Sequence, residues 1–340
     1  MVVNAPIFYS RPTTTMEQIE YRRQRAETNG CGIYSATSSQ KKEDIDTNLF
    51  ATYTGRTYDL SKPADYNDVI RGGDVYIVES YLPKAPKKSL RNRLFKRTDS
   101  MDGEIGYTRQ GMTGDCWLIT ALNSISYSDK GSKMLKDMIK YGEDGAFVEF
   151  KGLNITVFVP YKKVFQTKQM LRYSHVDDDV KVIELAMEKV ISEAINGNLG
   201  GKMGKEYQEW LKKSEDLRTT PLDGNSVGCA WMLLFGQTGF ELTKEVSDIP
   251  QNVDLVSITL SSSDFKDKAT YSFKTFLTNK VNFTDAKTGK KIELYLDHAY
   301  SVKSMGKDGV LEIVEPNTHD TYFLKAQDIK DIEFQYFTFN

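Results

Sequence analysis

Gln110 and Cys116 stand six residues apart in the stretch QGMTGDCW, and the sequence beyond Cys116 reads as the start of a helix. A thiol attacks a carbonyl as its thiolate, and the positive end of a helix favours that anion. The Gln110 amide and the backbone N–H of Cys116 are two donors suited to hold the oxyanion that such an attack creates. Gly111 and Gly114 allow the backbone to approach a neighbour closely. Asp115 carries a carboxyl next to the thiol and is expected to oppose a thiolate, so the site needs a cationic partner such as an imidazolium. A cysteine leading an apolar helix is otherwise a small buried hydrophobe; the preceding Gln and glycines, with Trp117 after, favour the nucleophile.

Elements must hold these groups. Leu118, Ala121, Leu122 and Ile125 recur at helical spacing, which predicts a helix from Cys116 with one buried face. AFVEFKGLNITVFVP (146–160) alternates and breaks at Gly152 and Asn154, the pattern of a hairpin. VIELAMEKVISEAI (182–195) reads as a long helix ending at Asn196-Gly197. The loop GNLGGKMG and a helix over KEYQEWLKK follow. Beyond about residue 240 the pattern turns to strands: VDLVSITL, YSFKTFL, KIELYL, AYSVKSM, VLEIVE and FQYFTFN, with turn signals at Gly289 and at Lys307-Asp308-Gly309. A helical half followed by a β half predicts an α+β fold with a cleft between the two.

Residues 1–97 read as an N-terminal extension. Thr14 and Glu17 have capping-box spacing before a polar helix over MEQIEYRRQRAE. SATSSQKKED is a loop and DVYIVES (74–80) a strand. The run KAPKKSLRNRLFKR (84–97) carries seven positive charges and no negative one. It is a solvated linker or, alternatively, a processing or docking segment. The expected divisions are 1–97, then 98–240 with Cys116, then 241–340 with His298.

Composition bounds the partners. A net charge of −2 over 340 residues gives no reason to expect nucleic acid. The start of the chain lacks a basic region followed by an apolar core, and no apolar run approaches spanning length, so neither a Sec signal nor a membrane span is expected. Three cysteines, Cys31, Cys116 and Cys229, make a poor disulfide framework, which points to a reducing compartment. The expected location is cytoplasmic, or outside the cell by a route without a Sec signal.

TRQGMTGDCWLITALNSI resembles the cysteine loop of the calpain family of papain-like cysteine proteases, whose pattern is Q-G-x-x-G-D-C-W-L. HAYSV, at His298, is the wording calpains use around their catalytic histidine. The resemblance implies a papain-like two-lobed core, with Cys116 as nucleophile, His298 as general base and Gln110 as oxyanion donor. His298 would face Cys116 across the cleft. Of the other histidines, His175 lies in the polar loop LRYSHVDDD and reads as a surface residue. His319 reads as a turn residue, with a substrate contact as the alternative.

The third triad member departs from the family, which places an Asn before Pro-Trp-Gly. Here the strand runs into VEPNTHD, so alignment on Pro316 gives the position to Glu315, and Asn317 replaces the tryptophan. Glu315 is the preferred partner of the imidazole, because a carboxylate stabilises imidazolium more than an amide does. Asn317 shares its face if the strand persists and is the alternative. The 182–201 segment resembles a family helix followed by a glycine pair, and LDGNSVG (222–228) stands where calpains carry a D-L-T-G-G loop. The resemblance extends in pieces over 102–340.

What it implies is a cysteine endopeptidase acting on proteins or peptides, with the N-terminal segment as a cis-acting inhibitor. A catalytically silent interaction module, or another acyl transfer such as transglutamination or deamidation, are the alternatives. No cofactor is required by any motif. Calpain cores bind calcium through irregular loops, so calcium dependence stays open; no EF-hand loop occurs, and the acidic triplet Asp177–Asp179 reads as loop charge.

Overall fold

The helix that begins at Cys116 organises the structure, a computed structural model that describes residues 95–106, 108–168, 170, 172–212, 220–236, 241–243, 245–250, 253–260, 280–328 and 332–337, with isolated residues between 58 and 78. This helix, α1 (Cys116–Ser126), is buried from Cys116 to Ile125, so two faces are covered rather than the single one expected. Leu118, Ala121, Leu122 and Ile125 join the main apolar core. The other face carries small hydroxyls that tie the helix to a sheet. Thr120 Oγ1 donates to Ala299 O at 3.1 Å, Ser124 Oγ donates to Val256 O at 3.1 Å, and the Tyr127 hydroxyl lies 2.8 Å from Ser301 Oγ. Thr120 and Ser124 follow Cys116 at four-residue steps, so the same helix face presents the thiol to that sheet.

The sheet under α1 is antiparallel throughout. It takes in β5 (Glu241–Thr243), β6 (Leu255–Leu260), β9 (His298–Met305), β10 (Val310–Val314), β11 (Thr321–Lys325) and β12 (Ile332–Phe337), in the spatial order β11-β10-β9-β6-β12-β5. A separate ribbon pairs β7 (Lys280–Thr284) with β8 (Lys291–Tyr295). Its turn has Gly289 at φ 67°, and the β9–β10 turn has Gly309 at φ 76°, both in the left-handed region that glycine adopts without strain.

On the other side of α1, α2 (Asp129–Met138), α4 (Asp178–Ile195), α5 (Gly201–Lys212) and α6 (Val227–Phe235) join a four-stranded antiparallel sheet of β1 (Tyr76–Val78), β2 (Ile139–Tyr141), β3 (Gly145–Phe150) and β4 (Ile155–Pro160). A short helix, α3 (Tyr161–Thr167), follows β4. The predicted hairpin over 146–160 is β3–β4, with Asn154 at φ 51° in its turn. The run CAWMLLF lies in α6, capped by Ser226 and ended by Gly236 at φ 72°. The fold is therefore α+β, with antiparallel sheets.

Three expectations change. β1 comes from the presumed extension, yet it pairs with β4 and sends Ile77 into the main core. The acidic triplet is the start of α4: Asp177 caps the helix by accepting from the N–H groups of Asp179 and Val180. Cys229 is disulfide-bonded, against the expectation of a poor disulfide framework. The expected helix near residues 14–27, the loop over 35–44, most of the basic run and the strand YSFKTFL also lie outside the described residues. No helix among the described residues is long and apolar enough to cross a membrane.

Candidate active site

Cys116 stands at the first position of α1, where a backbone N–H has no acceptor within the helix; the Asp115 carbonyl takes the N–H groups of Leu118 at 2.8 Å and Ile119 at 3.1 Å. The loop before it is clamped by the 220–226 segment. Gly114 N–H donates to Asp223 Oδ1 at 2.8 Å, Gly224 N–H donates to Gly114 O at 3.0 Å, and the buried Trp117 indole donates to Leu222 O at 2.9 Å. Gly111 meets the expected need for close approach, since a Cβ there would lie 2.3 Å from Arg172 O.

Gln110 is anchored by its backbone, whose N–H donates to Pro316 O at 2.8 Å. Its side-chain Nε2 donates to Thr113 O at 2.7 Å, which occupies one amide hydrogen and leaves the second for another acceptor.

His298 opens β9 directly after Asp297, a non-glycine residue at φ 55°. The ring is fully buried and boxed edge-on by Tyr300 at 5.0 Å and Tyr295 at 6.0 Å. Its Nε2 lies 2.8 Å from Glu315 Oε1, while the charge of Cys116 acts on the same ring. With Nε2 committed to Glu315, Nδ1 is the nitrogen left to exchange a proton with sulfur. Burial disfavours the charged ring, but the Cys116 and Glu315 charges outweigh it and push His298 up to about 9.

Glu315 follows the end of β10 and is buried. Burial alone would raise its carboxyl. The hydrogen bond and charge of His298 and donors from the turn hold it below the usual value instead. Thr318 N–H donates to Oε2 at 2.7 Å. Asn317 Nδ2 lies 2.7 Å from Glu315 Oε1 and 3.2 Å from His298 Nε2. An N–H cannot donate to a nitrogen that is itself giving its proton to Glu315, so Asn317 acts on the carboxylate and Glu315 on the ring.

The turn carrying Glu315 is stapled to the segment before the cysteine. Besides Gln110 to Pro316, the imidazole of His319 hydrogen-bonds to the Thr108 backbone, and Arg109 Nε donates to Asn317 O at 3.4 Å. His319 is thus a brace, at φ 62°, rather than a group at the ring of His298. His175 pairs through its backbone with Arg109. The acidic start of α4 holds the approach to this segment: Thr98 and Ser100 hydroxyls donate to Asp178 Oδ2, Gly103 N–H to Asp179 Oδ2 and Gly106 N–H to Asp177 Oδ2, all within 2.8 Å.

Asp115 departs most from expectation. Its carboxyl caps nothing in α1; it is fully buried, and faces the fully buried carboxyl of Glu184 on α4. Burial first, then the charge of Glu184, raises Asp115 well above its usual range. A protonated Asp115 puts no charge beside the thiol, so the expected opposition to a thiolate is removed. Glu184 was not visible in the sequence as a site residue; its only signal is a lone glutamate on the apolar stretch VIELAM.

Among the described residues no cluster of His, Cys, Asp and Glu side chains is arranged to hold a metal ion. No family model matches the chain, and no curated protein matches it.

Proposed function

We propose that the chain is a cysteine endopeptidase with a calpain-like, two-lobed papain-type core, in which Cys116, His298 and Glu315 form the triad. The observation that carries this reading is a buried imidazole held 2.8 Å from the Glu315 carboxylate and raised by the charge of Cys116, with the three residues supplied by α1, β9 and the turn after β10. Cys116 Sγ attacks the scissile carbonyl carbon. The proton held on His298 Nδ1 passes to the leaving amine, and the acyl-enzyme is hydrolysed by water with His298 as base. The Cys116 N–H and the second Gln110 amide hydrogen receive the oxyanion. Glu315 holds the ring through Nε2 and stabilises its charged form; Asn317 and Thr318 hold Glu315.

The calpain resemblance of QGMTGDCW and HAYSV supports the same assignment. The substrate is a protein or peptide, and nothing in the chemistry calls for a metal or an organic cofactor. The N-terminal residues restrict access in cis. Because β1 belongs to the folded body, the test is a site-specific cut within 84–94 rather than removal of the segment: faster casein cleavage after the cut is expected, and equal rates refute the restriction.

Product analysis tests the activity itself. Incubated with a peptide library, the chain should generate new termini seen by mass spectrometry, and Cys116→Ala should generate none. Glutamine cross-links or deamidation without new termini would assign another acyl transfer, and no product at all would leave a silent module.

A further inference from the structure

Behind Cys116 lies a carboxyl pair that the proposed chemistry does not use. Asp115 is the N-cap residue of α1, a place where a carboxylate ordinarily accepts helix N–H groups, yet it makes no cap bond. Neither of its buried oxygens receives an N–H or hydroxyl donor among the described residues. Their partner is the Glu184 carboxyl. Burial raises Glu184 as well, but its donors oppose the rise: Ser174 N–H lies 2.9 Å from both of its oxygens, and the Ser174 hydroxyl donates to Oε2. Two apposed carboxyls in a dry site cannot both ionise, and the one with the donors keeps the charge. The proton therefore sits on Asp115.

We propose that Asp115 is a positioning residue: it donates the one proton it shares with Glu184, and this acid pair fixes the first turn of α1 while keeping a second negative charge away from the Cys116 sulfur. The groups facing the pair fit that division. Asp223, from the 220–226 loop, and Cys116 oppose charge on Asp115, while Lys181, on α4, favours charge on Glu184. Tyr173, close by, adds no charge, because burial pushes its hydroxyl above the physiological range. The pair ties α4 to α1 at the residue that precedes the nucleophile.

This inference rests on Cys116 as the nucleophile, but its test reads the thiol and needs no turnover. The rate of Cys116 alkylation by iodoacetamide, followed against pH in the full chain, reports thiolate formation. Asp115→Asn retains a donor to Glu184 and an uncharged group, so its acid limb should lie within about 0.3 pH unit of the wild type. A downward move of about one unit or more would mean that Asp115 is ionised, and would overturn the proposal. Asp115→Ala leaves Glu184 without its donor and should slow neutral-pH alkylation about tenfold, by freeing the first turn. If Ala matches Asn, Asp115 positions nothing. Should Asp115→Asn fail to fold, carbon-13 spectra of aspartate-labelled wild type decide. One aspartyl carboxyl still protonated at about pH 8.5, above the range near 7 where Asp179 titrates, is expected. Full ionisation there would overturn the proposal.

Discussion

Asp115 and Glu315 are two buried acids flanking one cysteine–histidine pair, and the fold drives them in opposite directions. Asp115 faces a second carboxyl and is raised well above its usual range; Glu315 faces an imidazole and two N–H donors and is lowered. Burial raises both, so burial does not decide. Partners do. The cysteine side is built from a helix start and backbone clamps, and it silences its acid. The histidine side is built from a strand end and a side-chain-rich turn, and it keeps its acid ionised to hold the ring.

Substitutions that exchange these roles sharpen the contrast. Cys116→Ala and His298→Ala should each lower kcat by about 10⁴-fold or more, measured on any cleaved peptide. Gln110→Ala, which removes one of the proposed oxyanion donors, should lower kcat by about 10²–10³-fold with KM little changed. Glu315→Gln should cost about 10²-fold. The contrast breaks if Glu315→Gln is harmless, because the lowered acid would then do nothing for the ring. Asn317→Ala should cost less than about tenfold, since it acts on Glu315 rather than on His298. The smallest expected effect is Trp117→Phe, which removes the indole bond to Leu222 O and should destabilise by about 1 kcal/mol in chemical denaturation.

The ring also marks stability. His298 stands at about 9 in the folded chain against an ordinary 6.5, so its protonated form contributes stability that is complete below about pH 6.5 and is lost as pH rises through about 9. Glu315 is lowered, so its contribution is present at neutral pH and lost as pH falls through its folded value. Denaturant midpoints measured across pH should fall at both ends, and Glu315→Gln should flatten the alkaline fall.

What was legible in the sequence was local. Gln110, Cys116 and His298 sit in short runs whose wording suggests the roles proposed for them, and the hairpin over 146–160 announced itself by alternation and by Asn154. The choice between Glu315 and Asn317 was legible only as a preference for Glu315, because both lie in one turn and only the position of the ring separates them. Glu184 was hidden for a different reason: it looks like a helix glutamate until Asp115 is brought against it from far along the chain. The acidic triplet misled because three aspartates in a row read as loop charge, whereas caps and first-turn positions of a helix favour them. The ribbon strand β7, KVNFT, escaped because its alternate residues are only half-buried and its others exposed, so its hydrophobic period is faint.

The pH dependence of kcat/KM for one cleaved peptide, in wild type and Glu315→Gln, tests the triad most directly. An alkaline limb near 9 is expected in the wild type, moving to lower pH once the Glu315 charge is gone. A limb that stays in place, or cleavage that survives Cys116→Ala, would contradict the triad.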